Sequence, residues 1–466
     1  MDLFKNKNFW LALILVCLIT ISFSLTKTWS FYYLIGLIFI LLILIFIKYT
    51  EIGLYLIAFL YPFTYLEFVY NDINVPYVDL VALILFFAWL IKALYLHFTN
   101  KKRLNLKNFP GWFFMLLFVS ACILSLLNVD SELLASSVKY ILRPIIFFYL
   151  MYVVLPFNVI DNFKKFYNTL KIMFVLGMGL SLMGIWSLIF PPTELGLRSV
   201  VPISIFGIYP LGTNHNLLAE IFVGLIPLAF ILFWQEKDVF LKNIYLIGAL
   251  LMTVINILTL SRAGWLALIV DLLVLIILKY RAIGVKKYFT TYLPYLTMIL
   301  LVPIFYLMYK LITSTVVISS NLNRLKLMDV ALTLYKESPL LGTGIGTFTS
   351  SLAQFRWYII EYGEVLDAHS FLFKTLAETG FLGAFTFCAL LFYVLYVLFK
   401  AYNKVKNTNT SWLILGMLLT VLGVMVFELF GTGYFLAKLW LPIGLALASI
   451  KLSGLNFTTK NKIYAK

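Results

Sequence analysis

The sequence predicts an all-α polytopic membrane protein, and three features of its composition lead to this fold class. Of its 466 residues, 63% are hydrophobic and only 12% are charged, whereas a soluble domain is about half apolar and about a quarter charged. Its mean hydropathy is +0.99. The apolar residues form long unbroken runs rather than the short alternating segments of a membrane β-barrel. Because unpaired backbone groups are too costly in hydrocarbon, each run must form a helix.

A membrane-spanning helix needs about 20 mostly apolar residues, and this rule divides the chain into about fourteen helices, within a range of about twelve to fourteen. The first run follows a short basic segment, as in a signal peptide, but no small-residue cleavage pattern follows it, so we expect it to be retained. The third run is interrupted by Pro62. The predicted spans are 9–25, 29–47, 52–70, 76–98, 110–129, 138–155, 166–190, 211–234, 241–259, 263–279, 288–312, 370–398, 411–430 and 434–450.

These spans divide the chain into three parts. Residues 1–312 are expected to hold the first eleven helices, residues 313–369 an extracytoplasmic loop, and residues 370–466 the remaining helices and a cytoplasmic tail. The shift from long apolar runs to a polar loop and back sets these boundaries.

The positive charge of the chain fits a multi-pass topology. A formal net charge of +16 would suit a nucleic-acid partner, but Lys and Arg concentrate in alternate connections, as at 101–103 and 286–287. With a cytoplasmic N-terminus these connections lie inside, as the positive-inside rule requires. We therefore expect no nucleic-acid partner, both termini in the cytoplasm, and the connections at 191–210, 260–262 and 313–368 on the outer face.

The long outer connection is expected to have structure of its own. In NRLKLMDVALTLYKE, residues Leu325, Met328, Leu332 and Tyr335 recur at helical spacing, which predicts an amphipathic helix on the outer membrane surface. The next segment, SPLLGTGIGTF, contains a proline and three glycines and predicts a tight turn. Its GTGIGT sequence lacks the preceding strand and the βαβ context of a nucleotide-binding loop, so we reject that interpretation.

Two arginines near the outer face are candidate anion-binding residues, since charged groups within a membrane protein are expensive and often functional. Arg262 lies in LTLSRAGWLAL at the outer junction of two spans, and Arg324 begins the surface helix. Each could instead contact lipid headgroups. Guanidinium groups bind phosphate oxygens bidentately and stay charged, so the two together could neutralise a diphosphate without a metal.

His369 is the candidate general base. It enters a hydrophobic helix after the acidic residues Glu361, Glu364 and Asp367. A neighbouring carboxylate could orient its imidazole as a base with a pKa near neutrality. A lone histidine is more often structural, and that alternative stays open.

Four further residues on the same side are candidates for substrate binding. Lys139 and Arg143 share one helix face near the outer end of the sixth span, where they could extend the cationic pocket or pair with lipid phosphate. Asn214 and His215 lie at the outer start of another span, where Thr213 or Asn214 could cap the helix. No metal-site or cofactor motif appears, so we expect neither.

The segment HSFLFKTLAETGFLG carries a recognisable pattern: a histidine, then Asn, Ser or Gln, nine further residues, Gly, two residues, and Gly, Thr or Tyr. These positions are His369, Ser370, Gly380 and Gly383. Together with GTNHNLLAE, SRAGWLAL and NRL…SPLLGTGIGTF, this pattern resembles the O-antigen ligase and polymerase superfamily. The motif regions cover roughly 211–383.

The resemblance implies an inverting, metal-independent glycosyltransferase with a GT-C-like membrane fold. Its donor would be a glycan on undecaprenyl diphosphate, and its site would face outwards from the bacterial cytoplasmic membrane. Carried over by position, Arg262 and Arg324 would hold the diphosphate and His369 would activate the acceptor hydroxyl. Trp357 and Tyr358 could stack against sugar rings, although outer-face aromatics also form the ordinary interfacial belt, which we favour slightly.

The acceptor stays open at this point. A ligase would use an acceptor such as lipid A–core, a polymerase would use another repeat unit, and transfer to a protein is a third version of the same chemistry. A transporter of lipid-linked sugars is the alternative from another class, because Glu220, Asp271 and Glu428 lie within predicted spans. The chain nevertheless lacks the repeated halves of many transporters. A non-catalytic assembly factor, the remaining alternative, would tolerate loss of His369.

Overall fold

The computed structural model describes residues 30–70, 73–99, 106–190, 199–279, 309, 315–431, 433 and 436–455, most of them in helices. The predicted span 9–25 and nearly all of 288–312 lie outside these residues. The larger elements are α1 (Ser30–Lys48), α2 (Thr50–Leu60), β1 (Glu67–Tyr70), β2 (Ile73–Pro76), α3 (Tyr77–Phe98), α4 (Trp112–Ser125), α5 (Leu134–Val159), α6 (Phe163–Ile189), α7 (His215–Gln235), α8 (Val239–Leu258), α9 (Arg262–Lys279), α10 (Thr315–Glu337), α11 (Phe348–Leu352), α12 (Arg356–Tyr362), α13 (Phe371–Val405), α14 (Ser411–Glu428) and α15 (Ala437–Leu452).

The helices have the length and composition of a polytopic membrane protein. Within the described residues, seven are long and apolar enough to cross a membrane, or up to eight if the bent pair α1 and α2 is one span. The helical membrane class is therefore confirmed, whereas the count of about fourteen spans and the GT-C-like fold stay predictions. The centre of the bundle is formed by α7 and α14, because 78% of the most apolar stretch of each is buried.

The predicted third span, 52–70, is wrong in its second half. Helix α2 ends at Leu60, and β1 and β2 then form an antiparallel hairpin that pairs Glu67 with Pro76. Proline has no backbone N–H and fixes its φ angle, so Pro62 ends the helix rather than interrupting it. The hairpin contributes Glu67 and Asn74 to the rim of a large cavity described below.

The long connection predicted at 313–368 contains the predicted helix, but with a different buried face. Helix α10 buries Leu327, Val330, Ala331 and Leu334 in a small hydrophobic core that it shares with α11 and α12, which we call the loop core. Leu325, in contrast, is 52% exposed. The spacing of apolar residues fits both faces, and the core supplied by α11 and α12 decides between them.

The glycine-rich segment is the predicted tight turn, and it packs against a break in α13. Gly380 has φ 61 and ψ −163 inside this helix. The turn satisfies backbone groups that the break releases, since Phe381 N donates to Pro339 O (2.8 Å) and Gly344 N donates to Glu378 O (2.8 Å). Gly380 is thus needed for its backbone conformation, which other residues rarely adopt.

Candidate active site

A cavity of about 1150 Å³ opens at one end of the bundle. Helices α7, α9 and α15 begin at this end and α14 finishes there, so the ends of helices distant in sequence form its wall. Seven of the nine candidate residues line it, and these are Arg262, Arg324, His369, Lys139, Arg143, Asn214 and His215. Residues predicted on one side of the membrane are thereby brought together.

Arg262 reaches the cavity because small residues allow its helix to approach its neighbours. A Cβ at Gly264 would lie 2.9 Å from Asn256 Oδ1 on α8 and 3.2 Å from the Cβ of Ala219 on α7. Ser261 is 1% exposed and directly precedes α9, where its carbonyl accepts a hydrogen bond from Trp265 N (3.0 Å). A larger residue at position 264 would push α9 outwards and move Arg262 with it.

Arg324 is brought to Arg262 by a hydrogen bond one turn away. Arg262 Nη1 donates to Asn321 Oδ1 (2.5 Å), and residues 321 and 324 share one face of α10 because they are three positions apart. Arg324 itself has no hydrogen bond or ion pair to any residue that the structure describes. Burial, and then the charge of Arg262, lower the pKa of Arg324. Two half-buried like charges without a counter-ion among the described residues are suited to bind an anion.

His369 is held in a strained conformation beside the arginines. Its φ is +50, which is uncommon for a residue other than glycine and which clusters at functional sites. The segment is fixed on both sides, since Ala368 is buried in the loop core and Lys374 Nζ donates to Asp367 Oδ2 (2.8 Å). Asp367 also accepts from Ala368 N (2.8 Å). It therefore anchors the backbone next to the imidazole, whereas the sequence-based hypothesis had a carboxylate orient the ring.

The surroundings of His369 favour its neutral form. Burial lowers the pKa of His369 from its ordinary value, the positive charge of Arg324 lowers it further, and Asp367 opposes them in part. No partner of the imidazole occurs among the described residues. At neutral pH the ring is therefore unprotonated and has a nitrogen free to accept a proton.

A second cationic group, Lys139 and Arg143, lines the same cavity. Arg143 Nη2 pairs with Asp79 Oδ2 at 3.4 Å, and Tyr152 also donates to Asp79 (Oδ1, 2.5 Å). Asp79 is 5% exposed near the start of α3. The carboxylate therefore positions Arg143, while Lys139 lies exposed one turn away. Sequence analysis missed Asp79, although an acid inside an apolar run is a detectable signal.

Asn214 has the capping role that its position predicts. Its side chain accepts from Asn216 N (2.9 Å) at the start of α7. The cap fixes the end of the helix that carries His215 into the cavity. Asn214 thus supports the site through the helix, and binding to a substrate stays a prediction for both residues.

Trp357 and Tyr358 do not line the cavity. Tyr358 is fully buried in the loop core, where its hydroxyl donates to Asn323 Oδ1 (2.7 Å). Its ring has no face free for a sugar, so the structure does not support that expectation. Trp357 is 43% exposed, with Lys326 Nζ 5.7 Å from the centre of its ring. The sequence could not reveal this difference because α12 packs through contacts distant in the chain.

Two acidic residues complete the wall. Glu220 on α7 and Glu428 at the end of α14 line the cavity, whereas Asp271 does not. The cavity therefore has a cationic part with a neutral imidazole and an acidic part formed by Glu220 and Glu428. The first part has the groups needed to hold an anionic leaving group while a hydroxyl is deprotonated.

Comparison with known proteins agrees with this arrangement. Residues 247–388 match the model of the family described as O-antigen ligase, a segment that includes Arg262, Arg324 and His369. No curated protein matches significantly. The match covers less than a third of the chain, and it supports a similarity to the O-antigen ligase superfamily and, with the apolar helices, an O-antigen ligase-like membrane function in glycan transfer.

Proposed function

We propose that the protein is an inverting glycosyltransferase that moves a glycan from undecaprenyl diphosphate to an acceptor hydroxyl at the outer face of the bacterial cytoplasmic membrane. The observation that carries this proposal is the convergence of Arg262, Arg324 and His369 on one cavity. Two unneutralised guanidinium groups beside a neutral imidazole suit a diphosphate leaving group and a hydroxyl nucleophile.

In the proposed reaction, the acceptor oxygen attacks the anomeric carbon of the donor sugar. His369 takes the hydroxyl proton as the new C–O bond forms, and the bond from the anomeric carbon to the diphosphate oxygen breaks with its electron pair. Attack opposite the leaving group inverts the anomeric configuration. A positioned base of this kind contributes typically about 10²–10⁴-fold to the rate.

The arginines stabilise the departing diphosphate, which gains negative charge as the bond breaks. They are preorganised, because the hydrogen bond from Arg262 to Asn321 fixes α10 relative to α9. The free-energy cost of bringing the two guanidinium groups together arises when the protein folds. The site therefore needs little rearrangement when negative charge develops on the diphosphate. This neutralisation requires no metal, and we expect a chelator to leave the rate unchanged.

The outer location is supported by the distribution of charge in the sequence. Two helices that begin at the cavity end lead away from it to basic connections, namely α9, which is followed by a basic segment after Lys279, and α13, which has Lys404 near its end. Basic connections favour the cytoplasm. The cavity would then face outwards, with both termini in the cytoplasm.

The acceptor separates two versions of the proposal. A ligase would use lipid A–core, and a polymerase would use a second lipid-linked repeat unit. Both share the donor, the leaving group and the three residues, so we place the ligase first because the matching family is described as O-antigen ligase.

The direct test is release of undecaprenyl diphosphate by purified full-length protein in lipid nanodiscs. The donor would be an undecaprenyl-diphosphate-linked glycan, with lipid A–core, a second donor molecule, or no acceptor in parallel reactions. We expect release only with an acceptor, together with a product of increased mass. Release that depends fully on added Mg²⁺ or Mn²⁺ would contradict the proposed role of the arginines. Glycan movement across a vesicle membrane without bond cleavage would instead identify a transporter.

A further inference from the structure

The acidic part of the cavity contains two carboxylates with unused acceptor atoms. Glu220 is 4% exposed and Glu428 is 1% exposed. Glu220 Oε2 accepts from Lys438 Nζ (3.1 Å), and Glu428 Oε2 accepts from Gly433 N (2.6 Å). The Oε1 atom of each accepts from no donor outside the pair among the residues that the structure describes. Each carboxylate is thus held by one oxygen and presents the other.

The two free oxygens face one point. A Cβ at Gly433 would clash with Oε1 of both Glu220 and Glu428, so both atoms lie around the open side of this glycine. All three residues line the cavity. A hydrogen bond between the two carboxyl groups leaves acceptor positions on both oxygens unused, and a hydroxyl group beside Gly433 would hydrogen-bond to both of them.

The chemistry of the pair indicates what that donor is. Two buried carboxyl groups this close share one proton, so the pair keeps a negative charge that repels phosphate, while its oxygens can accept from and donate to sugar hydroxyls. The ammonium group of Lys438, bonded to Glu220, disfavours a metal ion at the same point. The arginines face the same cavity, which therefore offers separate places for an anionic and a polyhydroxylated group.

We propose that Glu220 and Glu428, positioned by Lys438 and Gly433, form a subsite for sugar hydroxyls, supplied by the glycan of the donor or by that of the acceptor. This inference rests on the proposed glycan transfer. It adds that the chain recognises the sugar itself through two membrane-embedded acids that lie outside the matched family segment.

The test compares lipid ligands with and without a sugar. Full-length protein in nanodiscs would be titrated, without acceptor, with radiolabelled undecaprenyl-diphosphate-linked glycan and with undecaprenyl diphosphate. We expect Glu220→Gln and Glu428→Gln to weaken binding of the glycan-bearing lipid by about tenfold and to leave binding of the sugar-free lipid unchanged. Arg324→Gln should weaken both.

Asp271→Asn is the matched control. Asp271 is also buried in a membrane helix, with neither carboxylate oxygen partnered among the described residues, but it lies away from the cavity. Its replacement should change neither affinity, and thermal unfolding of each variant would show that the fold persists.

A second measurement separates the two sources of the sugar. If the pair holds the acceptor, the Glu variants will raise the KM for the acceptor about tenfold at saturating donor, with donor affinity unchanged. Equal weakening of both lipids, or no change in either affinity and in the acceptor KM, would overturn the subsite. If no acceptor supports release of undecaprenyl diphosphate, the transfer proposal fails; weaker binding of only the glycan-bearing lipid by the Glu variants would still show the subsite, and unchanged binding of both lipids would then overturn it.

Discussion

The part of the cavity wall formed by Arg324 and His369 and the loop core formed by α10, α11 and α12 use charged groups in opposite ways. On the wall, Arg324 and His369 have no partner among the described residues. At the loop core, Lys374 pairs with Asp367 at 2.8 Å and lies 4.0 Å from Glu378, whose Oε1 accepts from Phe348 N at 3.1 Å. The pattern distinguishes groups without a partner among the described residues, for which we propose a ligand, from groups that stabilise the fold.

Residues available to a ligand and residues that stabilise the fold also occur together within the sequence pattern HSFLFKTLAETGFLG. His369 and Gly380 belong to one motif, yet the histidine faces the cavity and the glycine lies at the break of α13 against Leu340. The histidine is thus suited to chemistry and the glycine to architecture. Changing each should affect different measurements, and this is how the comparison can be tested.

The largest effect is expected for His369→Ala. Removal of the base should lower the rate of transfer by about 10²–10⁴-fold, with the thermal midpoint and donor affinity little changed. Single-turnover release of undecaprenyl diphosphate measures the rate. His97→Ala, at the end of α3 away from the cavity, is the control and should retain full activity. An undiminished rate in His369→Ala would remove the base assignment.

Arg324→Gln should have the next largest effect. Loss of one preorganised cation should lower the rate by about 10²–10³-fold and weaken binding of undecaprenyl diphosphate. Arg356→Gln is matched in charge and lies in the same connection, but Arg356 is exposed and outside the cavity lining. If both variants lose activity equally, a general effect of charge in the loop is the better explanation.

Gly380→Ala tests the architectural half of the motif. A Cβ at Gly380 would clash with the backbone of Leu340, whereas Gly363, which also has positive φ (+77), has open space around it. Both replacements strain the backbone by about 1–3 kcal/mol, and only Gly380→Ala adds the clash. We expect a thermal midpoint clearly lower for Gly380→Ala than for Gly363→Ala. Equal midpoints would show that the turn yields easily to the added methyl.

The sequence could predict features set by local or pattern-level rules. The membrane class follows from composition, the tight turn follows from its glycines, and the cap at Asn214 follows from its place before an apolar run. The meeting of the two arginines with His369 was predicted from their common side of the membrane and from the family pattern, not from local structure.

Features decided by tertiary contacts could not be predicted in this way. The buried face of α10 depends on what packs against it, and the burial of Tyr358 depends on the same core. The acceptor oxygens of Glu220 and Glu428 lie together because α7 and α14 are neighbours at the bundle centre, although the residues are far apart in the chain. The spacing of residues within one segment does not show which other segment packs against it. Neither the packing of α10 nor the proximity of Glu220 and Glu428 could therefore be predicted.

The smallest predicted effect is a shift in pH dependence. The rate requires neutral His369, so it should be full above the pKa of His369 and fall as pH drops through it. Burial and the charge of Arg324 place this pKa below the ordinary 6.5, and Asp367 opposes them.

Arg324→Gln removes one of the lowering causes, so the acidic limb of its rate profile should move to higher pH, although the rate itself is smaller. Profiles of Arg356→Gln should keep the original limb. A limb that moves to lower pH in Arg324→Gln would mean that Arg324 and His369 do not share one electrostatic environment, and the convergence on which the mechanism depends would be lost.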